Sequence, residues 1–514
     1  MPDRTDTSDH PGGLARILNG IERAGNALPH PTLLFAWMAL GVMVLSTITA
    51  LLGVSAIHPV SGDTIHAVNL ISGDGIRRIL AETVDNFTGF APLGTVLVTM
   101  LGIGIAERSG LIDVLLRRLV LAAPQRSLTF CVVLAGVLSS LAADSGYVVL
   151  IPLAALVFRA AGRHPIAGIA AAFAGVSAGY SANLLIGPLD AILAGLSNEA
   201  VALVDPDYEV NAAGNWWFIV ASTLLISLVV AAVTELITEP RLQPSEPGVA
   251  SDITERADDA AESAGLRAAG LVTLFTIVLV LWAVVPEGGV LRDPDTGSIL
   301  RSPFISGIVV IIAFWAGLAG IAFGRAAGTF SNSAAVVDSM ERTMTTMATY
   351  LVLMFFAAQF VAWFGWTNLG VILAIVGADG LRVIDLGPVT LMLLFIIVTA
   401  FINLFIGSAS AKWAIMAPVF VPMLYLLGIS PESTQMAYRI GDSVSNIITP
   451  LMPYFALVVA FAQQYDRKSG IGTIIATMIP YSIALLIAWS SLLTVWILFD
   501  IPLGPGAPIL LPAQ

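Results

Sequence analysis

Apolar runs long enough to cross a bilayer recur along nearly the whole chain. Hydrocarbon about 30 Å thick takes roughly 20 apolar residues per helix. Runs of that kind lie near 31–54, 91–107, 166–195, 215–237, 269–285, 303–324, 345–377, 434–464 and 471–499. They predict an all-α polytopic membrane protein with about nine spans. Only 11% of the 514 residues are charged, against roughly 25% in a soluble protein, so lipid is the solvent for most of the chain. The stretch before Pro31 is polar, so the first run reads as a span and not as a cleaved leader. The net charge of -12 is spread over loops, and no basic stripe interleaved with aromatics points to nucleic acid. Cys131 is the single cysteine, so no internal disulfide forms.

Two further apolar stretches, 127–160 and 388–428, each hold two short segments meeting at a small, polar kink. The first kink is Ala-Ala-Asp144-Ser-Gly-Tyr147, the second Gly407-Ser-Ala-Ser410-Ala-Lys-Trp413. Non-helical backbone at membrane depth is tolerated only where protein or a watery cavity covers it. Both stretches therefore read as re-entrant hairpins. With the N-terminus in the cytoplasm of a bacterial cell and the inner membrane as host, 16 Lys and Arg fall inside. Only Arg77, Arg78, Arg292, Arg301 and Arg382 fall outside, as the positive-inside rule requires.

Sliding the chain by 266 positions lays one hairpin on the other. Leu150-Ile-Pro152 falls on Met416-Ala-Pro418, Tyr147 on Trp413, Gly175 on Gly441 and Ser177 on Ser443. With a one-residue gap, Asn183 to Pro188 aligns with Asn446 to Pro450. The repeats cover roughly 91–237 and 357–499, and the topology makes them inverted. Their centres, Ser181-Ala-Asn183 to Pro188 and Ser443-Val-Ser-Asn446 to Pro450, read as broken helices that free backbone groups for an ion or solute. Outside the repeats lie a segment over 1–30, a span and external loop over 31–90, a linker with two scaffold spans over 238–344, and a tail over 500–514. The second repeat, counted from the start of its first span, occupies 345–499.

Five charges lie in the predicted membrane core: Lys412, Arg439, Asp144, Asp190 and Asp442. Such residues line pathways or pair. Arg439 and Asp442, three apart, share a helical face and either neutralise one another or split their duties. In the second case Arg439 forks onto a solute carboxylate and Asp442 serves a cation. Lys412 beside Trp413 either meets the anion or snorkels; Asp144 either binds a cation or caps a helix. Asn403, Gly407, Asp442 and Asn446 supply the oxygens a hard cation prefers, though the two asparagines equally suit bonds between helices. Ser181 and Asn183 join the pathway from the first broken helix.

The strings Gly407-Ser-Ala-Ser-Ala-Lys-Trp413-Ala-Ile-Met-Ala-Pro418, Tyr438-Arg-Ile-Gly-Asp442-Ser and Asn446-Ile-Ile-Thr-Pro450, within nine spans and two opposed hairpins, resemble the aminobenzoyl-glutamate transporter family (AbgT). The likeness covers nearly the whole chain. The repeat plan is similar to that of the divalent anion:sodium symporters. The resemblance implies a homodimer with a cytoplasmic basin, and uptake of p-aminobenzoyl-glutamate or export of p-aminobenzoate-like antimetabolites such as sulfonamides. It implies a central cavity of Asp190, Ser410, Trp413, Arg439, Asp442 and Pro450, and a cation site of Asn403, Gly407, Asp442 and Asn446. No resident cofactor is expected; the coupling ion is sodium or a proton.

An enzyme, a channel and a sodium-coupled dicarboxylate carrier are the rival readings. The chain lacks H-E-x-x-H, G-x-S-x-G and Walker A strings. Only His164 lies near a broken element, so metal-assisted hydrolysis is short of ligands. Broken helices also line channels, and two cations suit a dicarboxylate.

Overall fold

The computed structural model describes residues 31–57, 62–141, 146–242, 259–299, 302–452, 454–467 and 469–511. The 1–30 segment, Asp144 and part of the 238–344 linker lie outside the described residues, as do Arg256, Arg301 and Lys468. The described chain is nearly all helical, with seven helices long and apolar enough to span, or nine when each sharply bent pair counts as one span. A two-stranded antiparallel ribbon, Ser55–Ile57 with Thr64–His66, and two isolated β-bridges, Ile429 with Leu510 and Gly504 with Ala507, depart from the all-α expectation. The segment after the first span also holds an amphipathic helix, Gly73–Thr88, begun by the Ser72 side chain accepting from the Gly75 amide.

The two repeats place the same five elements in the same order. The first runs through Ala91–Arg108, Leu111–Leu121, a hairpin of Leu128–Leu138 and Ile151–Ala160, an interrupted helix of Pro165–Phe173 and Pro188–Val201, and Trp216–Val233. The second runs through Ala348–Trp366, Leu369–Ile384, a hairpin of Pro388–Asn403 and Ala409–Tyr425, an interrupted helix of Pro431–Asn446 and Phe455–Gln463, and Ile471–Leu498. In both, the helix before the hairpin turns sharply into it, by 114° in the first and 120° in the second. These connecting helices correct the sequence reading of 345–377 as one continuous span. The helix stops at Trp366 because Asn368 takes a left-handed φ of 58°, a turn that asparagine tolerates and hydropathy does not register.

The hairpins enter from opposite sides. Trp216–Arg241 is a 26-residue helix, about 39 Å long at 1.5 Å per residue. At its C-terminal end, Glu239 receives both Nε and an Nη of Arg163, in the loop that closes the first hairpin. In that loop His164 caps the next helix by accepting from the Ile166 amide at 3.2 Å, and burial holds the imidazole below its usual pKa. At the N-terminal end of the same long helix, Phe218 donates to Leu503 of the C-terminal tail. That tail pairs with the base of the second hairpin, Leu511 to Gly428 and Ser430 to Ile509.

The repeated glycine has one job in both halves. A Cβ on Gly175 would stand 2.7 Å from the Val133 carbonyl, and one on Gly441 2.4 Å from the Ile396 carbonyl. Each is the point where an interrupted helix backs onto the first arm of its own hairpin. Gly441→Ala is therefore expected to wedge Pro388–Asn403 away from Pro431–Asn446. Overpacking of this kind costs about 1–3 kcal/mol and should appear as a lower melting midpoint of the purified protein; an unchanged midpoint would show that the two helices separate freely.

Candidate functional site

Pro431–Asn446 is the least apolar of the buried helices, yet all sixteen of its residues are buried. Its polar face, Gln435, Tyr438, Arg439, Asp442 and Asn446, follows helical spacing and meets the second hairpin and the other interrupted helix. Arg439 reaches across the repeats. One Nη donates to Asp190 Oδ1 at 2.6 Å and the other to the Ser181 carbonyl at 3.4 Å. Asp190 is itself positioned by the Gly187 amide, which donates to Oδ2 at 2.7 Å, at the first turn of Pro188–Val201 where the helix dipole favours a carboxylate.

Asp442 takes a different partner. Its Oδ1 pairs with the ammonium of Lys412, which also meets Asn403 Oδ1 and, at 3.4 Å, the Ile406 carbonyl. Lys412 is wholly buried and does not snorkel. The i, i+3 pair of Arg439 with Asp442, one of the two sequence readings, does not form: each charge is matched by a residue on another element. Four buried charges thus make two neutral pairs. Isolated charges at this depth are costly.

Asn403 ties the second hairpin to its interrupted helix. Its Nδ2 donates to the Asp442 carbonyl at 2.7 Å, to Ser445 Oγ at 2.9 Å and to Asn446 Oδ1 at 2.9 Å. The first repeat has the matching bond, Asn183 Nδ2 to Ser140 Oγ at 2.8 Å. Asn446 also crosses to the Ser177 carbonyl at 3.3 Å. Gly407 lies where any Cβ would stand 2.8 Å from the Leu451 carbonyl, so the tip of the second hairpin presses on the second break.

Trp413 is buried. Its indole N–H donates to Leu193 O at 3.2 Å and Ser197 Oγ at 3.1 Å, and its ring lies 4.5 Å from that of Tyr438. It braces the second hairpin against the first interrupted helix; the Tyr147–Tyr454 stack, 4.4 Å between centroids, mirrors it from the first hairpin. Ser410 and Pro450 are half-buried. Sequence reasoning passed over Tyr438, Ser140, Ser177, Ser197 and Gln435, although a polar helix inside so apolar a chain was the available signal.

Four buried polar atoms in this region have no partner among the described residues: Ser181 Oγ, Arg439 Nε, Asp442 Oδ2 and Ser443 Oγ. Ser181 and Arg439 line one narrow cavity with Ser140, Asn183 and Asp190. It measures ≈ 10 Å³, room for about one water and far below the roughly 300–1,000 Å³ of ligand pockets. The Arg439–Asp190 pair leaves no room there for a solute.

The sequence profile of the AbgT putative transporter family matches residues 16–511. The chain belongs to the AbgT family. Like AbgT relatives generally, it is to be read as a transporter. It is 37% identical over 494 residues to the p-aminobenzoyl-glutamate transport protein of Escherichia coli (strain K12), covering 96% of each chain. Among solved structures it is similar to the YdaH transporter of Alcanivorax borkumensis, described as having an unusual topology, with a TM-score of 0.89 and 55% identity. That match covers 93% of this chain and 100% of YdaH. It is also similar to MtrF of Neisseria gonorrhoeae, presented with a class of antimetabolite efflux pumps, with a TM-score of 0.90 and 47% identity. Here 96% of this chain and 100% of MtrF are covered.

Proposed function

We propose that this AbgT chain is an ion-coupled secondary transporter of small aromatic carboxylates: p-aminobenzoyl-glutamate, p-aminobenzoate or sulfonamide-like antimetabolites. One observation carries the reading. A buried arginine, its Nε without a partner among the described residues, lines a narrow cavity with Ser181 and Asp190 of the other repeat's interrupted helix. Such an arginine recognises a carboxylate, and inverted repeats with broken helices are built for alternating access. The names of the relatives, aminobenzoyl-glutamate transport and antimetabolite efflux, support the aryl carboxylate and leave import and export both open.

Lys412 weakens the dicarboxylate alternative, because Asp442 and Asn403 already engage its ammonium. The same arrangement bears on the coupling ion. Asn403 and Asp442, the side chains a sodium ion would share, here hold a lysine, so sodium enters only as that ammonium withdraws; otherwise a proton is the coupling ion. In this reading the hairpins and interrupted helices carry the site past a scaffold of the first span and the two linker spans. A second copy docks on that scaffold to form a homodimer, with the N-terminus cytoplasmic in the inner membrane. The wider kinship with divalent anion:sodium symporters belongs to the same proposal.

Reconstituted protein should show saturable p-aminobenzoate flux driven by an imposed proton or sodium gradient. Flux that never saturates would favour a channel, and flux indifferent to both gradients would remove the coupling.

A further inference from the structure

We propose that Asp190 is a built-in stand-in for the solute's carboxylate, and that the solute binds by taking Arg439 from it with the Ser181 hydroxyl as a second donor. The inference rests on the aryl-carboxylate reading above and specifies how that site selects its ligand.

A guanidinium offers a carboxylate two adjacent N–H groups, Nε–H and the neighbouring Nη–H, in a fixed fork. Here Nη2 is taken by Asp190 Oδ1 at 2.6 Å, while Nε, buried, has no partner among the described residues. The second carboxylate oxygen of Asp190 is turned away, held by the Gly187 amide at 2.7 Å. Asp190 therefore fills half of the fork. Arginine prefers two parallel bonds to one, so an incoming carboxylate that completes the fork competes well for the Nη2 position.

Ser181 supplies the other half of the geometry. Its carbonyl accepts from Nη1 at 3.4 Å, which fixes the guanidinium from the far side. Its hydroxyl is buried, unpartnered and part of the same cavity wall. A buried hydroxyl without a partner costs free energy, and an anion entering beside Nε would satisfy both orphans together. Once displaced, Asp190 keeps the Gly187 amide and its place at the helix N-terminus. The cavity, ≈ 10 Å³ while the pair is closed, opens only as the pair parts, so entry of the ligand and release of Asp190 are one event.

The test is binding of p-aminobenzoate to the purified full-length protein, with aniline as the control that lacks the carboxylate. Wild type should bind p-aminobenzoate and not aniline. Asp190→Asn keeps the shape and the Gly187 bond but removes the competing charge, and should bind about 10-fold tighter, a difference of roughly 1.4 kcal/mol. Ser181→Ala, a milder change should Asp190→Asn fail to fold, is expected to bind about fivefold more weakly with aniline still rejected. Wild-type binding with Asp190→Asn equal or weaker, or with Ser181→Ala unchanged, overturns this proposal alone. If folded wild type and both variants bind no aryl carboxylate, the functional reading falls with it.

Discussion

Replacing Arg439 with alanine is expected to abolish transport and to destabilise the protein by about 3–5 kcal/mol, the usual cost of stranding one member of a buried ion pair. Asp190 would remain buried, at the head of its helix, with only the Gly187 amide to stabilise it. Asp190→Ala should be similarly damaging, because Arg439 then keeps only the Ser181 carbonyl at 3.4 Å. The double variant Asp190→Leu/Arg439→Met removes both charges, and replacing a buried pair by apolar groups is often neutral. It should recover most of the thermal stability of wild type and none of the flux. Membrane proteins commonly unfold irreversibly, so midpoints are to be compared at one scan rate. A double variant no more stable than the sum of the single losses would show that the two side chains are not energetically coupled.

This pair also marks where the sequence stops being informative. Arg439 and Asp442 lie three apart, and local spacing alone joins them; the actual partner of Arg439 is 249 residues away. No periodicity reports a contact at that separation. The repeat, by contrast, was legible, because each copy has a glycine where a helix backs onto a hairpin and a proline at or within its break. Gly175 with Gly441 and Pro188 with Pro450 therefore survive an offset comparison. Pro188 opens the second half-helix, whereas Pro450 sits inside the break, ahead of Phe455, so the motif recurs without identical placement. The connecting helices Leu111–Leu121 and Leu369–Ile384 were hidden for a different reason. Leu369–Ile384 merges with the apolar run before it, whereas Leu111–Leu121 carries Asp113, Arg117 and Arg118 and reads as a charged loop; their turns at Gly110 and Asn368 depend on φ, with values of 85° and 58°, which composition does not encode. Lys412 was ambiguous because a lysine near a hairpin mouth snorkels unless something buried claims it. The claimants, Asn403 and Asp442, come from the other hairpin arm and the next helix.

Lysine-to-methionine substitution at 412 should have the second large effect, and its sign under added sodium is the informative part. Methionine fills the volume but leaves the Asp442 carboxylate buried among the Asn403 amide oxygen and the Ile406 carbonyl, the three oxygens that now surround an ammonium. In sodium-free buffer the loss should again approach 3–5 kcal/mol. Three oxygens converging on one point suit a hard monovalent cation as well as they suit an ammonium, and Asp442 Oδ2, unpartnered among the described residues, can add a fourth. Sodium is therefore expected to stabilise Lys412→Met much more than wild type. The gain should grow with concentration as binding to the folded state demands, about 2.7 kcal/mol at a hundredfold excess over the dissociation constant. Potassium and choline, larger, should give less. Should sodium raise the melting midpoint of wild type and variant equally, the ion binds elsewhere and Lys412 does not occupy its place; should it raise neither, Asp442 and its neighbours are a lysine socket and nothing more. The Asp442→Asn/Lys412→Met double variant, with no charge to satisfy, should lose the sodium response while keeping the fold. That double variant separates a cation held by the carboxylate from general salt effects on an apolar protein.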